Sequence, residues 1–197
     1  MQDFSLFDQC VMLPYNHAVR ERCLSYTCGD TDLDDFFLND AERYAKELMG
    51  KTYCWITEEK PHRIVALFTL ANDSIKTLHL DKTTRNRLNR PIDNPKRGRS
   101  YPATLIGRIG VNQAFQGMSI GTQLIQFIKD WFRHEDNKTG CRFLVVDAYN
   151  NPRTLRFYEQ NGFRYLHGDE TEECAYYNIP SEDKIATRLM YFDLKKV

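Results

Sequence analysis

The hexapeptide Gln116-Gly117-Met118-Ser119-Ile120-Gly121 lies between a run of apolar and β-branched residues and a helical repeat, so a helix begins there at the end of a strand. The first turn of a helix leaves backbone N–H groups unpaired and carries a partial positive charge, which suits an anion. Glycines at 117 and 121 let the chain approach a bulky phosphate group and take backbone angles closed to other residues. A pyrophosphate is the natural guest. Neither glycine-based nucleotide signature fits, because the stretch lacks the lysine of a P-loop and its glycines are not spaced as in a dinucleotide fingerprint. Read alone, the hexapeptide also suits a helix-capping loop without a ligand.

Such a loop needs a strand before it and a helix behind it. Residues 104–111 are apolar or β-branched apart from Arg108 and two glycines, which predicts a mostly buried strand. Ile120, Leu124, Ile125, Phe127, Ile128, Trp131 and Phe132 recur at helical spacing and predict a helix with one broad apolar face. A turn at 136–140 and a buried strand at 141–148 complete a strand–helix–strand crossover, hence a parallel pair. Upstream, 51–58 and 63–72 read as an antiparallel hairpin around the charged turn 59–62, with 75–80 as its extension. The acids and capping residues at 30–35 open an amphipathic helix that ends at Gly50. A short strand at 10–13 and a helical piece at 16–24 precede it.

Downstream, Asn151 caps a helix with Pro152 in its first turn and Asn161-Gly162 at its end. A strand at 163–166, an acidic and tyrosine-rich loop at 168–183 and a last strand at 187–194 follow. The expected fold class is mixed α/β, with antiparallel N-terminal strands followed by a parallel strand–helix–strand core. At 197 residues a single domain is expected.

With 27 basic and 27 acidic side chains, the chain as a whole shows no bias toward nucleic acid or a membrane surface. Its start, MQDFSLFDQCVML, is acidic where a secretory signal would be basic, and no later apolar run approaches a membrane span. A soluble, cytoplasmic protein without a membrane partner is the expectation. Six cysteines without a Cys-x-x-Cys or a histidine pair at metal spacing read as reduced and structural, and no metal is expected. One segment is biased: in 81–99, Lys82, Arg85, Arg87, Arg90, Lys96, Arg97 and Arg99 outnumber Asp81 and Asp93. It reads as a loop or frayed helix, either a solvated face or a surface for a phosphate-rich partner.

Two motifs carry a resemblance. Gln116 and Gly121 match the Gln/Arg-x-x-Gly-x-Gly/Ala signature of the GNAT superfamily of acetyltransferases, with Ser119 where the family usually has glycine. Asn151, Tyr158, Gly162 and Phe163 match its Asn, short helix and Tyr-x-x-x-Gly-Phe beyond the second core strand. Cys28-Gly29-Asp30, Leu33-Asp34-Asp35-Phe36, Phe68-Thr69-Leu70-Ala71 and the stretch LIGRIGV at 105–111 further resemble the branch of GNAT enzymes that acetylate aminoacyl-tRNA as bacterial toxins. Against that branch, the basic segment looks long, the acidic loop after Gly168 is unlike a tRNA surface, and the neutral charge is uncharacteristic.

The resemblance implies an N-acetyltransferase with acetyl-CoA as cofactor. Ile109, Val111, Gln116, Gly117, Met118, Ser119, Ile120, Gly121, Thr122 and Asn151 would bind it, and the Tyr158 hydroxyl would protonate the leaving thiolate. A phenol, with pKa about 10, suits a thiol near 8.5. Arg85, Arg87 and Arg90 are candidates for acceptor binding; Arg108 is either another or a paired structural charge. Many relatives carry a glutamate base on the central strand, but 104–111 contains no acid, which leaves Asp73, Asp147 or His79. An α-amine near 7.7 is then an easier acceptor than a lysine near 10.4, which favours the amino acid on a charged tRNA. An ordinary GNAT acting on a small amine or peptide N-terminus is the second reading, and a non-catalytic coenzyme A- or RNA-binding module the third. A toxin-like enzyme also brings an antitoxin protein and a homodimer into view as partners.

Overall fold

The computed structural model describes residues 4–93, 100–180 and 184–196. Its strands are β1 (Cys10–Pro14), β2 (Lys51–Thr57), β3 (Ile64–Lys76), β4 (Ser100–Val111), β5 (Phe143–Tyr149), β6 (Arg164–Tyr165) and β7 (Thr187–Asp193). They form a seven-stranded mixed sheet in the order β1-β2-β3-β4-β5-β7-β6. The helices are α1 (Leu6–Gln9), α2 (His17–Glu21), α3 (Thr31–Asp35), α4 (Ala41–Lys46), α5 (Lys82–Asn89), α6 (Ile120–Arg133), α7 (Pro152–Gln160) and α8 (Glu170–Tyr177). The expected mixed fold class is the one observed, with antiparallel β1-β2-β3 and a parallel β4–β5 pair. The chain divides into two compact units, Met1–Ala71 with Ile106–Trp131, and Asn72–Leu105 with Phe132–Val197.

In the first unit the two faces of β2 meet different helices, because successive strand residues point to opposite sides. Cys54 and Ile56 pack with Ile64 and Leu67 of β3 against Phe36, Phe37 and Ala41. On the other side Trp55 meets Phe127 of α6 edge-on, with ring centroids 5.0 Å apart, and Tyr53 meets Trp131 at 5.0 Å. The helical repeat of α6 thus does what its spacing predicts: Ile120, Leu124, Ile125 and Ile128 are buried. Asp30 caps α3 by accepting from the N–H groups of Asp32 and Leu33, while Asp34 accepts from the Thr27 hydroxyl and the Cys28 N–H. The single amphipathic helix expected to end at Gly50 is instead α3, a π-helical turn at Phe36–Asp40, and α4. That turn buries both Phe36 and Phe37, adjacent residues that a regular α-helix would place about 100° apart.

In the second unit β5 pairs antiparallel with β7 from Phe143↔Asp193 to Tyr149↔Thr187, and β7 pairs with β6. Its core joins Ile75, Leu80, Leu88, Tyr101, Ala103, Phe143, Val145, Leu166 and Tyr191. The segment 81–99, read as a loop or frayed helix, and the acidic segment 168–183, read as a loop, each contain a helix. Asp81 caps α5 through the N–H groups of Thr83 and Thr84, and Leu88 anchors the helix in the core. Asp169 caps α8 through Glu172 N–H, three acids in the first turn oppose the helix dipole, and Asn178 closes it at φ +55°. Of the basic segment, Lys96, Arg97 and Arg99 lie outside the described residues. All six cysteines are free thiols. Among the described residues no helix is long and apolar enough to cross a membrane.

Candidate functional site

The predicted anion loop is held in place by one asparagine that the sequence motifs did not single out. Asn112, just past β4, donates from its side chain to the Ile64 carbonyl at 2.8 Å and accepts from Ala114 N–H at 3.0 Å, while its own N–H donates to the Val65 carbonyl. Its signal was local: an asparagine two residues before a turn is a common backbone mimic. Gln116 then ties the loop from the other side. Its Nε2 donates to the Cys28 carbonyl at 2.8 Å and to the Val111 carbonyl at 3.0 Å. The same neighbourhood needs glycine at 29, where φ is +83° and an added Cβ would come within 2.4 Å of the Gln113 side-chain nitrogen.

Between these ties the chain takes left-handed angles, with Gly117 at φ +81° and Ser119 at φ +57°. A Cβ built at Gly117 meets nothing within 4 Å, so the glycine serves the backbone angle and leaves open space. Gly117, Met118 and Ser119 donate no backbone hydrogen bond to a carbonyl among the described residues. With the first turn of α6 behind them, they form a bend of free N–H groups suited to a diphosphate. Ser119 occupies a conformation that glycine, usual at this point of the motif, would take without steric cost. Ile120 points into the core, so only its main chain is available to a ligand, whereas Met118 and Thr122 are exposed and Gly121 half-buried. Ile109 and Val111 are half-buried on β4.

The second motif lies in the second unit. Asn151 accepts from Thr154 N–H at 2.9 Å, so its side-chain oxygen is engaged as the cap of α7. Tyr158 on α7 is 5 % exposed, and its ring lies edge-on to Phe157 and Phe163 with centroids 5.1 and 5.3 Å away. Its hydroxyl has no hydrogen-bond partner among the described residues. Burial pushes the phenol pKa up, so Tyr158 keeps its proton at neutral pH.

The arginines separate by surroundings. Arg87 donates from Nη2 to the Tyr165 and Leu166 carbonyls at 3.0 and 2.6 Å, which makes it a clasp between α5 and β6. Arg108 meets no carboxylate at ion-pair distance among the described residues; its guanidinium lies over the Phe36 ring, 3.7 Å from the centroid, with Tyr44 at 5.9 Å. The balancing partner is an aromatic face. Arg85 and Arg90 on and just after α5 form no ion pair among the described residues. Of the three candidate bases, His79 is exposed at the end of the 3₁₀ turn Thr77–His79, while Asp73 and Asp147 stand on strands. Among the described residues no three His, Cys, Asp or Glu side chains gather as a metal site would require.

The sequence profile of the Acetyltransferase (GNAT) family matches residues 30–163, more than half of the chain. No curated protein matches the sequence. Among solved structures, a tyrosine-to-phenylalanine variant of KacT is 18% identical, covers 95% of this chain and 96% of its own, and superposes with a TM-score of 0.71. AtaTR bound with AcCoA is 17% identical over 95% of each chain, with a TM-score of 0.68. AtaT complexed with acetyl-methionyl-tRNAfMet is 18% identical over 86% of each chain, with a TM-score of 0.63. At these identities the likeness is one of fold.

Proposed function

This chain belongs to the GNAT family of acetyltransferases, and on that premise we propose that it moves the acetyl group of acetyl-CoA to the α-amine of an aminoacyl-tRNA. Family membership makes it an N-acetyltransferase that uses acetyl-CoA; the acceptor is the proposed part. The observation that carries it is the 104–111 stretch of β4, which offers no carboxylate to strip a proton from a strongly basic lysine, so an amine already partly free at neutral pH is the better fit. The likeness in fold to AtaT complexed with acetyl-methionyl-tRNAfMet supports the same acceptor.

The cofactor fits the residues present. Bound acetyl-CoA supplies an activated acetyl thioester. The free N–H groups at 117–119 and the first turn of α6 hold the diphosphate, and Gly117 leaves room for it. Gln116 holds the bend to residues 28 and 111 without itself needing to touch the ligand. Tyr158 supplies a proton to the departing sulfur. Gln116→Ala therefore removes two hydrogen bonds from an exposed loop. The expected result is an acetyl-CoA Kd raised about tenfold, the equivalent of about 1.4 kcal/mol, with kcat nearly unchanged, as read by calorimetry and steady-state kinetics.

A peptide N-terminus or small cationic amine is the second reading, favoured by the exposed acids Glu170 and Glu172 on α8, which would repel a phosphate backbone. Incubation with labelled acetyl-CoA separates the two. Label retained on the aminoacyl group of charged tRNA upholds the proposal; label on peptides or small amines, with none on charged tRNA, replaces it with the second reading. An antitoxin-like protein partner belongs to the same proposal.

A further inference from the structure

The bend at 117–119 is flanked by two residues that one short piece of distant chain holds together. Before it stands Phe115, which is 9 % exposed and whose N–H donates to the Asn112 carbonyl at 2.8 Å. Behind it, in the first turn of α6, stands Gln123, whose N–H donates to the Ser119 carbonyl at 3.1 Å. Phe4 reaches both. Its ring centroid lies 4.9 Å from that of Phe115, and its carbonyl accepts from Gln123 Nε2 at 3.0 Å. The other end of the same amide is used as well, since Gln123 Oε1 accepts from Leu6 N–H at 2.8 Å. These contacts span 119 and 117 positions in sequence, so they are no part of the local capping of α6.

The segment that makes these contacts is itself fixed. Leu6 is fully buried, and Phe7 sets its ring against Trp55 of β2 and Phe127 of α6, at centroid distances of 5.9 and 6.5 Å. Ser5 N–H donates to Gln9 Oε1 at 2.9 Å, and Gln9 N–H returns to the Ser5 carbonyl at 3.2 Å. Phe4, Phe115 and Gln123 all belong to the first unit, so the contacts lie within one compact body.

The bend needs support from outside. Gly117 and Ser119 take left-handed angles, which a serine adopts against its steric preference. Residues 117–119 donate no backbone hydrogen bond to a carbonyl among the described residues, so the shape is set by how the two ends are held. Gln116 ties the first end to the Cys28 and Val111 carbonyls. Phe4 and Gln123 tie the second end and link it to the first. N–H groups fixed in advance take an anion with no ordering cost at the moment of binding.

Resting on the acetyl-CoA reading above, we propose that the segment Phe4 to Leu6 is a brace that keeps the 117–119 bend in its diphosphate-binding shape, with Phe4 and Gln123 as positioning residues for the cofactor. They act through the backbone they hold. The part of the cofactor they govern is the diphosphate, not the thioester.

The test compares two acetyl donors: acetyl-CoA, and acetyl-pantetheine, which carries the same thioester without the diphosphate. Gln123→Met keeps the length of the side chain and removes both hydrogen bonds, and Phe4→Ala removes the ring. Each is expected to raise the acetyl-CoA Kd and KM about tenfold with kcat at saturation unchanged, while kcat/KM with acetyl-pantetheine stays at the wild-type value. Phe4→Tyr, which keeps the ring, should bind acetyl-CoA as the wild type does. Because both residues act on one brace, the double variant Phe4→Ala with Gln123→Met should bind about tenfold more weakly than the wild type, where independent sites would give about a hundredfold. An unchanged acetyl-CoA Kd in both single variants, or an equal fall in kcat/KM for the two donors in folded protein, overturns the brace while the transferase reading stands. A wild type that binds acetyl-CoA no more tightly than acetyl-pantetheine overturns the diphosphate reading of the bend, and the brace with it.

Discussion

Tyr158→Phe is expected to lower kcat for acetyl transfer by about 10²- to 10⁴-fold, the range a positioned general acid contributes, while the acetyl-CoA Kd stays within a factor of two or so of the wild type. The substitution isolates the hydroxyl. Phenylalanine keeps the ring that lies against Phe157 and Phe163, and no described hydrogen bond is lost with the oxygen. Stability should therefore change by no more than about 0.5 kcal/mol, and unfolding cannot account for lost turnover. Burial holds the phenol above its usual range, so in the wild type the acid stays protonated and active through neutral and moderately alkaline pH. A variant with undiminished kcat would remove Tyr158 from the chemistry and leave it as a packing residue.

Glu173→Ala should cost about 3–5 kcal/mol of folding stability, measured as a shift in the urea midpoint at constant slope. Glu173 is fully buried; one oxygen lies 2.6 Å from Arg188 Nε and the other accepts the Leu189 N–H. Removing the carboxylate leaves the Arg188 guanidinium, itself only 8 % exposed, with Glu170 at 3.8 Å as its remaining carboxylate. An uncompensated buried charge is the expensive outcome. Replacing both partners by apolar residues, in Glu173→Leu with Arg188→Met, should recover most of the loss, because no charge is then stranded. A single substitution costing less than about 1 kcal/mol would show that the pair does not fasten α8 to β7.

The helix that carries Glu173 shows how far local signals reach. Asp169 with Glu172 three residues on is a capping pattern, so the start of α8 was open to sequence reasoning; the many acids and tyrosines around it masked the signal. The same holds for α5, where Asp81 caps a segment whose basic residues left loop and frayed helix both open. Among the candidate ligands, Gln116 was placed correctly in the loop, but its amide reaches the residue 28 carbonyl, a contact 88 positions away in sequence. Arg87, a candidate for acceptor binding on charge alone, donates to the carbonyls of residues 165 and 166, far away in sequence.

By itself the sequence determined the strand–loop–helix around residues 116–121, the N-terminal hairpin, the Asn151 cap of α7 and the membership of the family that these motifs mark. Each of these is written in spacing over a few residues, where helical or two-residue periodicity, capping oxygens and glycine angles act locally. Tertiary structure alone decided that Arg108 would rest on Phe36, that Arg87 would clasp β6, and that Arg188 of β7 would take up the buried Glu173 of α8. Those outcomes depend on strand register and on which distant side chain fills the space opposite, and neither is encoded within a single segment of chain.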